Sequence, residues 1–288
     1  MGWRVLLLSV LSVLAIPGTA APLRFAPLPL EDHRVVHEQF RGLADYLAAA
    51  AGAGLSWVAH DDYADILRGF RDGSLDLAYL GPVPYAVLAR SHTQAEPLGC
   101  FREADGAAAY TCALVARTGA RLRPGAVRGL RIGLPQPYST CGPFAASEML
   151  TAAGRSLRGD GNRFAFAGSH AQAALGVVRG DFDVASVKTD IARRYRHLDL
   201  DIIAESEPYP GFALVANGAT LAAPVLARLR RAVRGLDPER QPELPAITAG
   251  WGEQIRHGVV PPARCDYSCV DAALERLPLT LPGLGLPP

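Results

Sequence analysis

Ser139-Thr140-Cys141 puts two hydroxyls and a thiol inside one turn, Pro137-Tyr138-Ser139-Thr140-Cys141-Gly142-Pro143, between a short apolar strand pattern at 130–134 and a helical pattern at 144–153. A helix start presents backbone N–H groups with no partner inside the helix, together with roughly half a positive charge, so this layout predicts an anion site. The hydroxyls suit a tetrahedral or pyramidal oxo species. The sulfur admits thiol-seeking species as well, because the dipole that attracts an anion also lowers a thiol's pKa. Trivalent arsenic bonds to sulfur, whereas a thiolate repels phosphate.

Other residues could join this chemistry. Lys188, the only lysine of the chain, follows a strand pattern at 182–187 and would stand at the strand's carboxyl end, where open α/β sheets place ligands. It could pair with an oxyanion, or be a solvated charge neutralised by Asp190. Glu31 and Asp32 follow the first strand pattern on a loop facing the same side, where they would disfavour an anion or cap the helix that begins near His33. A thiol hydrolase built from Cys141, His170 and Asp190 is conceivable, but no motif specifies such a triad, and no enzyme activity or catalytic residue is expected. Cys265-x-x-x-Cys269 would hold zinc only with two ligands from elsewhere, so neither metal nor cofactor is implied.

The elements that must position these groups alternate. Strand patterns at 23–28, 55–58 and 75–80 are interleaved with helical ones at 33–51, 62–71 and 84–89. The alternation restarts at 130 with strands at 164–166 and 182–187 and a helix at 171–179, followed by a return strand at 212–216 and an Arg-rich helix at 222–235. This predicts βαβ units and two mostly parallel sheets, an α/β fold of two lobes crossed near 113–117 and 204–210. Residues 21–113 with 210–250 are expected in lobe 1, 117–204 in lobe 2, and the Pro-rich segment 251–288 as a tail packing on the lobes.

Composition bounds the function. A formal net charge of +1 over 288 residues leaves no basic footprint for nucleic acid. Met1 to Ala20 has one charge, Arg4, then an apolar run and a small-residue finish, as a cleaved secretory signal has; the run is well short of the ~20 residues that span a bilayer. An exported protein is expected. Its five cysteines, in an oxidising compartment, should leave one thiol free. Cys265 with Cys269 and Cys100 with Cys112 are compatible pairs, which leaves Cys141 odd; a Cys112–Cys141 bridge is the competing arrangement.

Four stretches in order, LRFAPLPLEDHRVVHEQFRGLADY at 23–46, YADILRGFRDGSLDLAYLGPVPY at 63–85, PYSTCG at 137–142 and GSHAQAALGVVRGDFDVASV at 168–187, resemble the periplasmic binding proteins of the phosphate/phosphite/phosphonate transporter family. The resemblance implies the two-lobed type II periplasmic binding protein fold, with the ligand in the cleft between lobes. It implies ligand contacts from an aromatic near Gly-Pro-x-x-Tyr, here Tyr85 or Tyr79, from Ser139, Thr140 and Cys141, and from His170 of the Gly-Ser-His segment. Cys141 stands where the family usually has Ser.

Two functions share this mechanics. In one, a monomeric periplasmic receptor captures phosphate, phosphite or a phosphonate and presents it to an ABC permease. In the other, resembling an arsenite-sensing branch, the ligand is a thiophilic oxyanion and the partner a membrane histidine kinase. Whether Cys141 is free separates them.

Overall fold

The structure, a computed structural model, describes residues 21–276; the expected export signal at 1–20 and the end of the tail at 277–288 lie outside the described residues. Helix α1 (His33–Ala51) shows how sequence sets the frame. Asp32 caps it, its side chain accepting from the Arg34 N–H at 2.9 Å, and Gly52 ends it in the left-handed region at φ 63°. Its apolar stripe, Val36, Phe40, Leu43, Ala44 and Leu47, is buried.

The first sheet uses β1 (Leu23–Pro27), β2 (Leu55–Trp57), β3 (Leu77–Leu80) and β4 (Ala95–Phe101), with α2 (Tyr63–Arg71) and α3 (Pro82–Ser91) between them. A short β5 (Ala109–Tyr110) leads to the second sheet, built from β6 (Cys112–Arg117), β7 (Arg131–Leu134), β8 (Arg163–Phe166), β9 (Val184–Lys188) and β10 (Leu200–Glu205). Its helices are α4 (Ala145–Ala152), α5 (His170–Arg179) and α6 (Thr189–Arg194). The chain returns through β11 (Tyr209–Pro210) to β12 (Ala213–Asn217), then α7 (Ala223–Arg234), α8 (Leu244–Ile247), β13 (Val259–Val260) and α9 (Ser268–Arg276).

The first sheet has the order β13-β4-β12-β3-β1-β2 and the second β10-β6-β9-β7-β8. Both are mixed rather than mostly parallel: β1 runs parallel to β2 and β3, but β12 is antiparallel to β3 and β4, and β13 is antiparallel to β4; β7 is parallel to β8 and β9, but β6 is antiparallel to β9 and β10. β12 and β6 are the strands by which the chain enters each sheet after a crossing, and β13 belongs to the tail. The first crossing lies earlier than the 113–117 expected from sequence, because that segment is strand β6 of the second sheet. The two crossing segments pair with each other, Tyr209 opposite Tyr110 and Pro210 opposite Ala109, as a ribbon between the lobes.

The tail is tied to the first lobe. Val260 on β13 lies opposite Cys100 on β4, Cys265 is bonded to Cys100, and the Tyr267 hydroxyl donates to the Gly211 carbonyl at 2.7 Å. The second bridge joins Cys112 to Cys141, and Cys269 is the free, exposed thiol. Cys100–Cys265 replaces the expected Cys265–Cys269 and Cys100–Cys112 pairs, and Cys112–Cys141 is the competing arrangement weighed from the sequence. Pairing β13 on β4 and docking the turn after β7 beside the start of β6 set Cα separations of 6.1 and 5.1 Å, inside the range a disulfide spans, whereas nearness in sequence suggested other partners.

Candidate functional site

Four helix starts converge where the lobes meet. Tyr63 opens α2, Gly81 precedes α3, Ser139 precedes the wide helical turn Thr140–Phe144 that leads into α4, and His170 opens α5. Tyr63, Gly81, Ser139, Thr140, Cys141 and His170 line one interlobe pocket of about 10 Å³, completed by Leu28, Pro84, Tyr110 and Phe212. No Asp, Glu, Lys or Arg is among these lining residues. The positive ends of helix dipoles, concentrated on so small a space, favour an anion.

Local sequence explains the close fit. Pro82 and Pro84 have no N–H, so Val83 supplies the donor at the start of α3, and it gives that N–H to Thr140 Oγ1 across the cleft at 3.1 Å. A Cβ on Gly81 would lie 3.2 Å from the Phe212 ring and 3.5 Å from Thr140 Oγ1, inside the space the pocket uses. One on Gly142 would lie 2.8 Å from the Gln136 carbonyl oxygen, so glycine permits the turn to fold back there. Gln136 itself is a buried cross-lobe clamp. Its Oε1 accepts from the Tyr63 N–H at 2.8 Å, and its Nε2 donates to the Asp61 and Gly168 carbonyls at 2.7 Å each.

The polar atoms of the pocket are held in defined states. The Lys188 N–H donates to His170 Nδ1 at 3.0 Å, so the ring hydrogen is on Nε2, which reaches Ser139 Oγ at 3.3 Å. Burial, helped by the nearby Lys188 charge, lowers the His170 pKa to about 3, so the ring is a neutral donor at ordinary pH. Burial also pushes the Tyr63 and Tyr110 phenols upward, which keeps both protonated. The Tyr110 and Thr140 side chains both line the pocket. The Tyr63 hydroxyl is buried with no partner among the described residues, an unusual condition that points to a bound acceptor.

Of the residues singled out in the sequence, the structure brings Ser139, Thr140, Cys141 and His170 together and leaves three outside this pocket. Tyr79 sits in central strand β3, its ring stacked on Phe212 at 4.9 Å, and its hydroxyl donates to the Gln254 carbonyl at 3.4 Å. Tyr85 faces away, 4.7 Å from the Tyr267 ring of the tail. The tyrosines that line the pocket are Tyr63 and Tyr110. Cys141 lines the pocket as half of a disulfide, not as a thiol.

Lys188 is the third. Its Nζ lies 2.7 and 2.8 Å from the two carboxylate oxygens of Glu103 and 3.6 Å from Asp190, so its charge is already matched by the chain. Beyond it lies a chamber of about 330 Å³ that shares His170 with the pocket and carries Glu31, Glu103, Lys188, Asp190, Arg194 and Glu253 on its walls. Glu31 pairs with Arg194 across the cleft at 2.7 Å.

Comparison with known proteins bears on the family and the fold. Residues 25–267 match the family of periplasmic substrate-binding proteins of phosphonate ABC transporters. The phosphate-import protein PhnD of Mycolicibacterium smegmatis is 26% identical over 175 residues, covering 58% of this chain and 54% of that protein, so the match spans about half of that relative's length. PhnD1 from Prochlorococcus marinus, solved in complex with methylphosphonate, shares the fold with a TM-score of 0.76 at 17% identity, over 88% of this chain and 97% of that one. A binding protein component of an ABC phosphonate transporter from Pseudomonas aeruginosa gives 0.72 at 19% identity, over 88% and 85%.

Proposed function

The chain belongs to the periplasmic substrate-binding family of phosphonate ABC transporters, and we propose that it captures a phosphorus oxyanion in the pocket between its lobes and presents the closed form to a membrane permease from the periplasm. The observation that carries this reading is the pocket itself: convergent helix starts, a neutral His170 donor, hydroxyls from both lobes and an unpartnered Tyr63 hydroxyl, all on a space with no charged side chain. A tetrahedral oxyanion offers acceptors to such donors; the pocket as it stands has room for about one water, so the lobes must part to admit the ligand and close around it at a slightly wider spacing. Because Tyr63 comes from one lobe, Ser139, Thr140 and His170 from the other, and Tyr110 from the ribbon between them, such a ligand would join the lobes and stabilise closure.

The alternative, a thiol-dependent arsenite sensor signalling to a histidine kinase, needs a free Cys141. The bridge to Cys112 removes that premise, and with it the nucleophile of a cysteine hydrolase. The function is binding, with no chemistry on the ligand.

Thermal denaturation of the purified mature protein with phosphate, phosphite, methylphosphonate, arsenate and arsenite tests this. A ligand that binds the native state alone raises Tm by mass action. Shifts are expected with the phosphorus oxyanions and none with arsenite. A shift with arsenite alone, or with no phosphorus oxyanion at any concentration, would overturn the assignment.

A further inference from the structure

The exit from the oxyanion pocket is occupied by a cation that the chain supplies itself. Lys188 is the only lysine in the sequence, and its side chain is 9% exposed. Its backbone N–H fixes His170, while its ammonium lies 5.2 Å from the Tyr110 ring centroid and 5.6 Å from that of Phe212, two walls of the pocket. Glu103 grips it with both carboxylate oxygens. A substituent leaving the pocket on the His170 side would enter the chamber at this ion pair.

The chamber has the wrong chemistry for most tails. Glu31, Glu103, Asp190 and Glu253 outnumber Lys188 and Arg194 on its walls, so an anionic tail meets net repulsion. A cationic tail would find all four carboxylates already engaged: Glu31 by Arg194, Glu103 by Lys188, Asp190 shared between Lys188 and Arg193, and Glu253 beside Arg256 and His257. It would have to lie unpaired beside a like charge, or displace Lys188 and leave that ammonium buried without its partner. Both cost more than the tail's own contacts return.

We propose that Lys188, held on Glu103, is a built-in substitute for a ligand's ammonium tail, so that the site selects compact phosphorus oxyanions such as phosphate, phosphite and methylphosphonate and rejects aminoalkylphosphonates. This rests on the function proposed above and names its substrate class. Removing the lysine side chain vacates the carboxylate, and a ligand ammonium of suitable length can then take the same place.

Isothermal titration of wild type and Lys188→Met with methylphosphonate, 2-aminoethylphosphonate and propylphosphonate decides it. Wild type should prefer methylphosphonate over 2-aminoethylphosphonate at least 100-fold. In Lys188→Met that ratio should fall at least tenfold, with a smaller gain for the neutral propyl tail, and the gain should vanish in Lys188→Met/Glu103→Gln. Wild type binding both ligands within tenfold of each other would overturn the proposal, and this arm needs no variant. So would an unchanged ratio in folded Lys188→Met, or equal gains for both longer tails, which would mark a filter of size alone. Failure of wild type to bind phosphate, phosphite or methylphosphonate at all would overturn the underlying function as well, and is distinguishable from every other result.

Discussion

On one side of His170 lies a pocket of about 10 Å³ whose lining holds no Asp, Glu, Lys or Arg; on the other lies a chamber of about 330 Å³ with four carboxylates and two cations on its walls. The pocket that is expected to hold an anion has no cation in it. Its attraction comes from oriented neutral dipoles: helix starts, hydroxyls and one imidazole N–H. Such donors are fixed in direction, so they select by shape and by the number of acceptors. The chamber uses full charges for a different purpose, joining the lobes through Glu31–Arg194 and Glu103–Lys188. On the proposed reading the pocket recognises the anion, while contacts that join the lobes lie in both spaces: Val83–Thr140 and Tyr63–Gln136 at the pocket, and the two ion pairs in the chamber.

The largest test of that division is Thr140→Val, a near-isosteric change that removes the acceptor for the Val83 N–H and a hydroxyl from the pocket wall. Affinity for methylphosphonate should fall about 100-fold, or about 2.7 kcal/mol, as expected for losing hydrogen bonds near a charged ligand. Arg194→Gln in the chamber should change it less than about threefold, because that pair is half exposed on the arginine side. Equal losses would break the comparison.

His170 belongs to both walls, and its titration provides the next test. Its folded pKa is lowered to about 3, below the ordinary value of 6.5, so between those values the unfolded chain binds a proton that the folded protein does not. Stability is therefore fully present above pH 6.5 and is lost as pH falls, by about 2 kcal/mol from this group at pH 5. Denaturant titrations of unliganded wild type and His170→Gln at pH 8 and pH 5 should differ in their pH dependence by that amount. A wild type no more acid-sensitive than the variant would mean that the imidazole is protonated in place and that the pocket does hold a charge.

How much of this was legible in the sequence follows the range of the interactions. Strands and helices were readable because each burial pattern is local, and Ser139, Thr140 and His170 were readable because each stands directly at a helix start. Tyr63 and Tyr110 were not readable as site residues, since what faces the cleft depends on how the lobes dock. Tyr79 drew attention through its neighbours Gly81 and Pro82, yet it lies in a central strand covered on both sides, with Phe40 and Phe212 against its ring. Tyr85 is one residue past Pro84 on the same helix, and that step turns it from the pocket to Tyr267 on the tail. Gln136 gave no signal at all, because its clamp exists only once Asp61, Tyr63 and Gly168 have been brought together. One cysteine pair was misread for the same reason: Cys100 finds Cys265 through a strand pairing 165 residues later in sequence, whereas the Cys112–Cys141 bridge was among the arrangements weighed from the sequence.

Among the pocket residues Tyr63→Phe gives the smallest effect and the most pointed one, because its two consequences have opposite signs. The hydroxyl is buried and unpartnered among the described residues, and an unmet buried polar group costs about 1–3 kcal/mol. Removing it should stabilise the unliganded protein by about 1 kcal/mol, raising Tm by about 2–4 °C. If that hydroxyl is kept for a ligand oxygen, the same change should weaken methylphosphonate about tenfold, or about 1.4 kcal/mol. Calorimetry and titration on one variant would read both. A gain in stability with unchanged affinity would make Tyr63 a packing residue that tolerates its hydroxyl, and the neutral pocket would then have to bind its anion with donors from the second lobe and Tyr110 alone. A loss of affinity with a gain in stability would identify stored cost at the binding surface, present in the uncharged pocket and absent from the chamber, where Glu103–Lys188 and Glu31–Arg194 already satisfy each other.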